Sequence, residues 1–170
     1  MGRKGSKESY LSLIEEIRKG LPDAVIRSTF LVGFPGESRE DFLTLIDFVK
    51  AAQLDWAGVF TYSREEGTGA FLFTGNVAKG TARRRKREIE ELQLSITGKR
   101  LERFIGRELA VLVEERVQGE DLFLARGYLQ APEVDGLTVV HGSDLQAGER
   151  VLVKIVRCNG VDLEAVVSNG

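Results

Sequence analysis

A chain of 170 residues with 42% hydrophobic residues, 29% charged residues and a net charge of −2 has the composition of a globular protein, with room for one ordinary domain or two small ones. No apolar run approaches the roughly 18 residues that a membrane helix needs, and no apolar signal region follows the basic N-terminus, so neither a membrane partner nor secretion is expected. The single cysteine, Cys158, excludes an internal disulfide and a multi-cysteine metal site within this chain, and it favours a cytoplasmic location.

The first 62 residues alternate between helical and strand patterns. Apolar residues at helical spacing after a Ser6 N-cap predict a helix that Pro22 ends. The apolar run at residues 25–32 predicts a parallel strand that is covered on both faces. Ser38 and Asp41 form a capping-box-like start to a second helix, and residues 57–62 predict a second strand. The expected buried stripe of the second helix consists of Phe42, Leu45, Ile46 and Val49.

A Gly-Phe-Pro-Gly turn, residues 33–36, follows the first strand at its carboxyl end. In α/β folds ligands bind at this end, because the loops vary while the strands hold them rigidly. Glycines at 33 and 36 let a ligand approach the backbone closely, and Pro35 stiffens the turn. The pattern alone leaves open a tight turn without any ligand.

Residues 63–80 are turn-like, and a long helix is predicted at 81–105. This helix has two apolar faces, one with Ile89, Leu92 and Ile96 and the other with Leu94, Leu101 and Ile105, as expected for a helix that bridges two bodies. After Gly106 the pattern changes to period two. Five short strands are predicted at residues 108–116, 122–128, 137–140, 150–157 and 161–167, which favours a small barrel and a domain boundary near 105.

The first domain does not look complete. Two parallel strands with three helices leave sheet edges unpaired and bury too little of the strands. Residues 1–105 are therefore expected to be the end of a larger α/β domain, completed by a missing N-terminal part of the same polypeptide or by another chain.

With these segments assembled, the chain resembles the C-terminal half of the radical-SAM methylthiotransferases. Residues 1–6 followed by Tyr10-Leu11 resemble the helix after the fourth barrel strand of that family. Arg-Ser-Thr-Phe-Leu-Val-Gly-Phe-Pro-Gly-Glu at 27–37 resembles the fifth strand and its turn. Gly-Val-Phe-Thr-Tyr-Ser at 58–63, with Glu-Glu-Gly-Thr at 65–68, resembles the sixth strand and its loop. The terminal barrel, residues 106–170, is similar to the OB-like TRAM domain.

The resemblance implies a fold class of α/β followed by all-β: part of a radical-SAM (partial TIM-like) barrel, a bridging helix at 81–105 and a TRAM β-barrel. It also implies S-adenosylmethionine and two [4Fe–4S] clusters, one of which cleaves S-adenosylmethionine to a radical that abstracts hydrogen. The CxxxCxxC motif that holds this cluster is absent, and Cys158 lies in the wrong domain to replace it. The cluster ligands are thus expected outside this chain, and the chain alone is expected to be inactive.

Within the family, Tyr-Leu-Gln-Ala-Pro-Glu-Val-Asp-Gly at 128–136 resembles the RimO type, which modifies an aspartate of a small-subunit ribosomal protein. Charge favours the same substrate. Residues 107–170 carry six Lys+Arg against eleven Asp+Glu, and an acidic module suits a basic ribosomal protein better than a phosphate backbone. Two alternatives stay open, namely a MiaB-type enzyme that acts on transfer RNA, and a non-enzymatic TRAM module that binds a ribosomal protein or RNA.

Three groups of site residues follow from the resemblance. The expected cofactor-binding residues are Thr29, Gly33, Phe34, Pro35, Tyr62 and Ser63, and the expected substrate-binding residues are Tyr128, Glu133 and Asp135. No catalytic or metal-ligating residue is expected. The basic run at 83–87 is expected to be a solvated helix face, with contact to ribosomal RNA as the functional alternative. Glu37 and Ser38 are expected to stabilise a helix terminus, and His141, Cys158 and Trp56 are expected to be structural.

Overall fold

The computed structural model describes residues 5–168; residues 1–4, part of the N-terminal segment on which the family resemblance partly rests, lie outside the described residues, as do 169–170. Contacts divide the chain inside its longest helix, into one unit that ends at Ile96 and another that begins at Thr97. The sequence predicts the boundary near residue 105, which is close to the end of that helix and not inside it. The assignment of residues 1–105 to a barrel portion stays a prediction.

The first two helices begin where the side-chain caps predict. Helix α1, Lys7–Gly20, starts at Ser6, whose hydroxyl accepts a hydrogen bond from the Ser9 amide. Helix α2, Arg39–Ala52, starts at Ser38 in a reciprocal capping box with Asp41. Such boxes satisfy amide groups that the first helical turn leaves without a carbonyl partner. Helix α3, Lys79–Leu101, begins two residues earlier than predicted and continues into a 3₁₀ turn at Glu102–Phe104.

The first unit contains two parallel strands, β1 at Arg27–Val32 and β2 at Trp56–Thr61, paired in register from Arg27↔Trp56 to Val32↔Thr61. One layer of core packs on this sheet. It is formed by the apolar stripe of α2, one side of α3 and a residue from each strand: Val32, Phe42, Ile46, Val49, Val59, Ile89 and Ile96. The stripe that the sequence predicts for α2 is therefore confirmed, with Leu45 only partly buried against it.

Beside this core lies an apolar groove of about 760 Å³, bordered by α1, β1 and the exposed ring of Phe60. Leu13 of α1 lines it and is 50% exposed, and Phe60 is 60% exposed. Within the described residues the sheet has two strands only. Unpaired strand edges and exposed apolar surface are what we expect if these residues are the end of a larger α/β domain, as the sequence predicts.

The second unit is a closed five-stranded barrel in the order β3-β4-β5-β7-β6, where β5 and β7 pair in parallel and the other pairs are antiparallel. All five predicted strands exist, and the boundaries shift by at most two residues. They are β3 (Glu108–Arg116), β4 (Leu122–Gly127), β5 (Thr138–His141), β6 (Arg150–Asn159) and β7 (Asp162–Val167). Alternation places one face of each strand inside, where Phe123, Val140 and Ile155 are almost fully buried.

Two of the three residues on the second apolar face predicted for the long helix are exposed. Leu94 is 57% exposed and Ile105 is 45% exposed, whereas Leu101 is buried. Single exposed leucines and isoleucines are common on protein surfaces, and periodicity identifies residue types without showing what covers them. Across residues 5–168, no helix combines the length and apolar character that a membrane crossing requires.

Gly136, the last residue of the 128–136 loop, offers a test of how tightly the barrel closes. A Cβ atom at this position would lie 2.0 Å from the carbonyl oxygen of Val161, so one of the two backbone segments must move. We expect Gly136→Ala to lower the free energy of unfolding of the barrel by about 3 kcal/mol, measured by urea unfolding, with hydrogen exchange to assign the loss to these strands.

The matched control is Gly127→Ala, at a buried position where the nearest atom would be 3.7 Å from the new Cβ. This change should cost less than about 1 kcal/mol. Equal stability of the two variants would contradict the close approach at Gly136.

Candidate functional site

The turn after β1 requires glycine at its first position. Gly33 is buried and has φ +78, a conformation that L side chains rarely adopt. A Cβ here would lie 2.6 Å from the Cβ of Ala82 on α3. At the other end of the turn, Gly36 has φ +86, and its amide donates to the carbonyl of Gly75 at 2.9 Å. The turn is thus held against both α3 and the loop that precedes it.

A buried ion pair between Glu37 and Arg85 connects the same turn to α3. The Gly33 amide donates to Oε2 of Glu37 at 2.7 Å, and the other oxygen of that carboxylate pairs with Arg85. The two side chains are only 12% and 10% exposed, respectively, and the Arg85 guanidinium lies 5.2 Å from the centre of the Phe42 ring. The prediction that the run at 83–87 is a uniformly solvated face is wrong at Arg85, because this side chain turns inward to neutralise Glu37.

Aromatic contacts connect the turn to the loop after β2. The Phe34 ring packs edge-on against Tyr62, with centroids 5.2 Å apart, and against Phe73 at 5.9 Å. The Tyr62 hydroxyl donates to the carbonyl of Ala70 at 3.2 Å, and its amide donates to the carbonyl of Val32 at 2.8 Å. These contacts fix the loop beside the carboxyl ends of both strands.

A cavity of about 670 Å³ opens at these strand ends, and we call it the strand-end cavity. Three of the expected cofactor residues line it: Gly33, Tyr62 and Ser63. Phe34 packs against the lining residue Tyr62, and Pro35 is half-buried in the turn. Thr29 does not line this cavity; it lines the apolar groove between α1 and β1.

The sequence analysis did not include the second wall of the cavity. This wall is formed by residues 76–79, Ala82 and Arg83, at the start of α3. The available signal was the basic run itself, which starts at the predicted beginning of a helix. Which of its members faces a cavity depends on the rotation of α3, and the spacing of charges does not reveal that rotation.

S-adenosylmethionine suits this cavity in size and surface. The volume of the cavity lies within the range of roughly 300–1,000 Å³ typical of small-molecule sites, and Gly33, Tyr62 and Ser63 line it at the strand ends. Iron–sulfur clusters do not suit the chain. They need several thiolates, the sequence has one cysteine, and the described residues contain no group of three His, Cys, Asp or Glu side chains that could hold a metal.

In the barrel, the 128–136 loop is internally braced. The Gln130 side-chain oxygen accepts from the Gly127 amide and the Thr138 hydroxyl, each at 3.0 Å. The Asp135 carboxylate accepts from the Ala131 amide at 2.7 Å, so part of its capacity serves the loop. Exposed positions include Glu133, at φ +60, and Tyr128, whose ring also packs edge-on against Phe104. The loop therefore presents an aromatic ring and a carboxylate on a rigid support.

The three residues that the sequence predicts to be structural, Trp56, His141 and Cys158, differ in their surroundings. Trp56 is buried at the start of β2, and His141 is exposed at the end of β5. The Cys158 sulfur lies 3.5 Å from the carbonyl oxygen of Gly160. Burial, with the nearby charges of Glu102 and Asp162, raises the pKa of its thiol. A raised thiol pKa keeps the side chain protonated at neutral pH, which disfavours a nucleophilic role.

Comparison with known proteins identifies relatives of both units. Residues 105–167 match the family model of the TRAM domain. Over 98% of its length, the chain is 46% identical to the ribosomal protein uS12 methylthiotransferase RimO of Treponema denticola, of which it covers 40%. The proteins of the same name from Thermodesulfovibrio yellowstonii and Carboxydothermus hydrogenoformans are each 39% identical over 98% and 99% of the chain. The chain spans about two fifths of the length of these relatives.

Removal of Arg85 should destabilise the first unit, because it leaves the Glu37 carboxylate buried without its counter-ion. We expect Arg85→Ala to lower the free energy of unfolding by about 3 kcal/mol. Urea unfolding followed by the fluorescence of Trp56, the single tryptophan, reports on this unit.

Arg84→Ala is the matched control, since Arg84 is an exposed neighbour in the same basic run. Its effect should stay within about 0.5 kcal/mol. A common unfolding midpoint for the two variants would show that the Glu37–Arg85 pair contributes nothing to the turn.

Proposed function

We infer, because the chain matches the C-terminal part of RimO-type uS12 methylthiotransferases over nearly its whole length, that it belongs to a polypeptide that attaches a methylthio group to an aspartate of that ribosomal protein. The observation that carries this proposal is the 46% identity over 98% of the chain, which extends through both units. A match confined to the barrel would support a shared TRAM domain only.

In this function the first unit supplies one wall of the S-adenosylmethionine site. The turn at Gly33, Phe34 and Pro35 and the strand end at Tyr62 and Ser63 hold the adenosyl group through backbone atoms and apolar surface. Bound here, S-adenosylmethionine would supply the group that abstracts a hydrogen atom from the substrate carbon, once a cluster held outside this chain has donated the electron that cleaves it. The residues of this chain bind and orient the cofactor. We expect the iron–sulfur clusters to be held by cysteines outside this chain, because the sequence contains a single cysteine.

The second unit recognises the substrate. Its residues from 107 onward carry six basic against eleven acidic side chains, and uS12 as a small-subunit ribosomal protein is expected to be basic. Complementary charge accelerates encounter and sets register. Transfer RNA, the substrate of the MiaB type, would instead require lysines and arginines that neutralise phosphates. The charge of the barrel therefore favours the protein substrate, with Tyr128, Glu133 and Asp135 as contact residues.

The activity is tested with the complete polypeptide that contains this chain, reconstituted with its clusters under anaerobic conditions. We expect mass spectrometry to find a methylthio group on an aspartate of uS12, and no modified adenosine in transfer RNA treated in the same way. A version of the polypeptide that lacks residues 97–170 should lose uS12 modification while it still binds S-adenosylmethionine. Modified transfer RNA with unmodified uS12 would transfer the assignment to the MiaB type.

Glu133 should affect the rate of association with uS12. Because Asp135 also supports the loop, Glu133→Lys is the cleaner change. We expect it to slow association by roughly threefold to tenfold at low salt and to leave the barrel folded. Surface plasmon resonance measures the rate, and Glu120→Lys, at an exposed residue outside the loop, makes the same change in net charge.

Equal association rates for the two lysine variants would remove Glu133 from the contact surface. Tight binding of transfer RNA with a steep dependence on salt would contradict the choice of a protein substrate altogether.

A further inference from the structure

The strand-end cavity is strongly cationic. Arg64, Lys79 and Arg83 line it, and none of its eleven lining residues is acidic. The first turn of α3 also contains no acidic residue, although a carboxylate would be favourable near that helix end. The cavity therefore holds positive charge that no lining residue neutralises.

One of the three cations, Arg64, has partners within the protein. The Arg64 guanidinium donates from Nε and from a terminal nitrogen to the carbonyl of Phe71, at 2.9 and 2.6 Å, and stacks 4.4 Å from the centre of the Phe71 ring. Lys79 and Arg83 differ. Among the described residues, neither has a hydrogen-bond or ion-pair partner, and both are exposed to the cavity.

Three carboxylates on the adjoining segments already have partners, and a fourth, Glu66 in the loop after β2, does not line the cavity. Glu37 accepts from the Gly33 amide and pairs with Arg85, Asp41 caps α2 through Ser38, and Glu65 accepts from the Ser63 hydroxyl at 2.7 Å. Along α3 itself, Lys79 and Arg83 are four residues apart. Like charges at this spacing repel each other and weaken the helix. An anion bound between the two side chains would relieve this repulsion.

We propose that Lys79 and Arg83 form a carboxylate-binding subsite of the strand-end cavity. This proposal rests on the proposed function, which places two carboxylate-bearing molecules here: S-adenosylmethionine through its methionyl group, and the substrate through its target aspartate. A guanidinium binds a carboxylate through two parallel hydrogen bonds, and an ammonium adds a point charge. Both groups lie on one helix, so the subsite is part of a rigid element.

The test uses the complete polypeptide with its clusters and pairs of probes that differ in the carboxylate. S-adenosylmethionine is compared with decarboxylated S-adenosylmethionine, which keeps the sulfonium and the amine and lacks only the methionyl carboxylate. A uS12 peptide with the target aspartate is compared with the same peptide carrying asparagine. Dissociation constants are measured by isothermal titration calorimetry for the wild type, Lys79→Ala, Arg83→Ala and the control Arg84→Ala, whose side chain does not line the cavity.

We expect Lys79→Ala and Arg83→Ala each to weaken the binding of one carboxylate probe by about tenfold, the loss typical of a hydrogen bond to a charged group. Binding of its carboxylate-free counterpart should stay unchanged, and Arg84→Ala should alter neither. A loss confined to S-adenosylmethionine identifies the cofactor as the source of the carboxylate, and a loss confined to the aspartate peptide identifies the substrate. Arg83→Lys should recover part of the affinity.

Several outcomes would overturn the subsite. Equal losses for probes with and without the carboxylate would mean that the two residues only shape the cavity. Unchanged affinities, or an effect of the variants on the salt dependence of ribosomal RNA binding alone, would assign these cations another role. If the wild type binds S-adenosylmethionine and modifies uS12 while the variants behave like it, this proposal fails and the proposed function stands. If the wild type does neither, both fail.

Discussion

The close approach of the Gly33 turn to α3 is the constraint on which the rest of the first unit depends. With no side chain at Gly33, the backbone can lie against Ala82, and the positive φ at this residue directs the chain back toward α2. The Glu37–Arg85 pair then ties the turn to the same helix in a place where water is largely excluded. Because one contact sets the distance between turn and helix, it also sets the width of the cavity between the strand ends and the start of α3.

The basic run of α3 illustrates how one stretch of sequence takes several roles. Arg85 is inside and structural, Arg83 lines the cavity, and Lys86 forms an exposed pair with Glu90 at 3.5 Å. A helix advances by about 100° per residue, so consecutive side chains necessarily face different surroundings. A run of like charges is thus a poor guide to a single function, and its members are best considered one at a time.

The barrel is stabilised mainly by closure of its sheet. Five short strands with alternating burial enclose one apolar interior, and because the sheet closes on itself no strand of the barrel is an unpaired edge strand. The 128–136 loop gains its rigidity from buried polar contacts at Gln130 and from the narrow space at Gly136. The barrel thus carries an acidic, internally hydrogen-bonded loop, whereas the first unit carries a cavity at its strand ends.

The sequence by itself determined the elements, their order and the class of each unit. Caps at Ser6 and Ser38, the apolar run before Gly33 and the period-two pattern after Gly106 are local signals, and local backbone preferences act between residues near in the chain. Three of the expected cofactor residues also meet at one cavity, because parallel strands end on the same side of a sheet. Only the tertiary structure decided that Arg85 is buried, that Leu94 is exposed and that Lys79 and Arg83 face the cavity. These outcomes depend on the rotation of α3 against β1 and α2, which is set by contacts between residues some 50 positions apart.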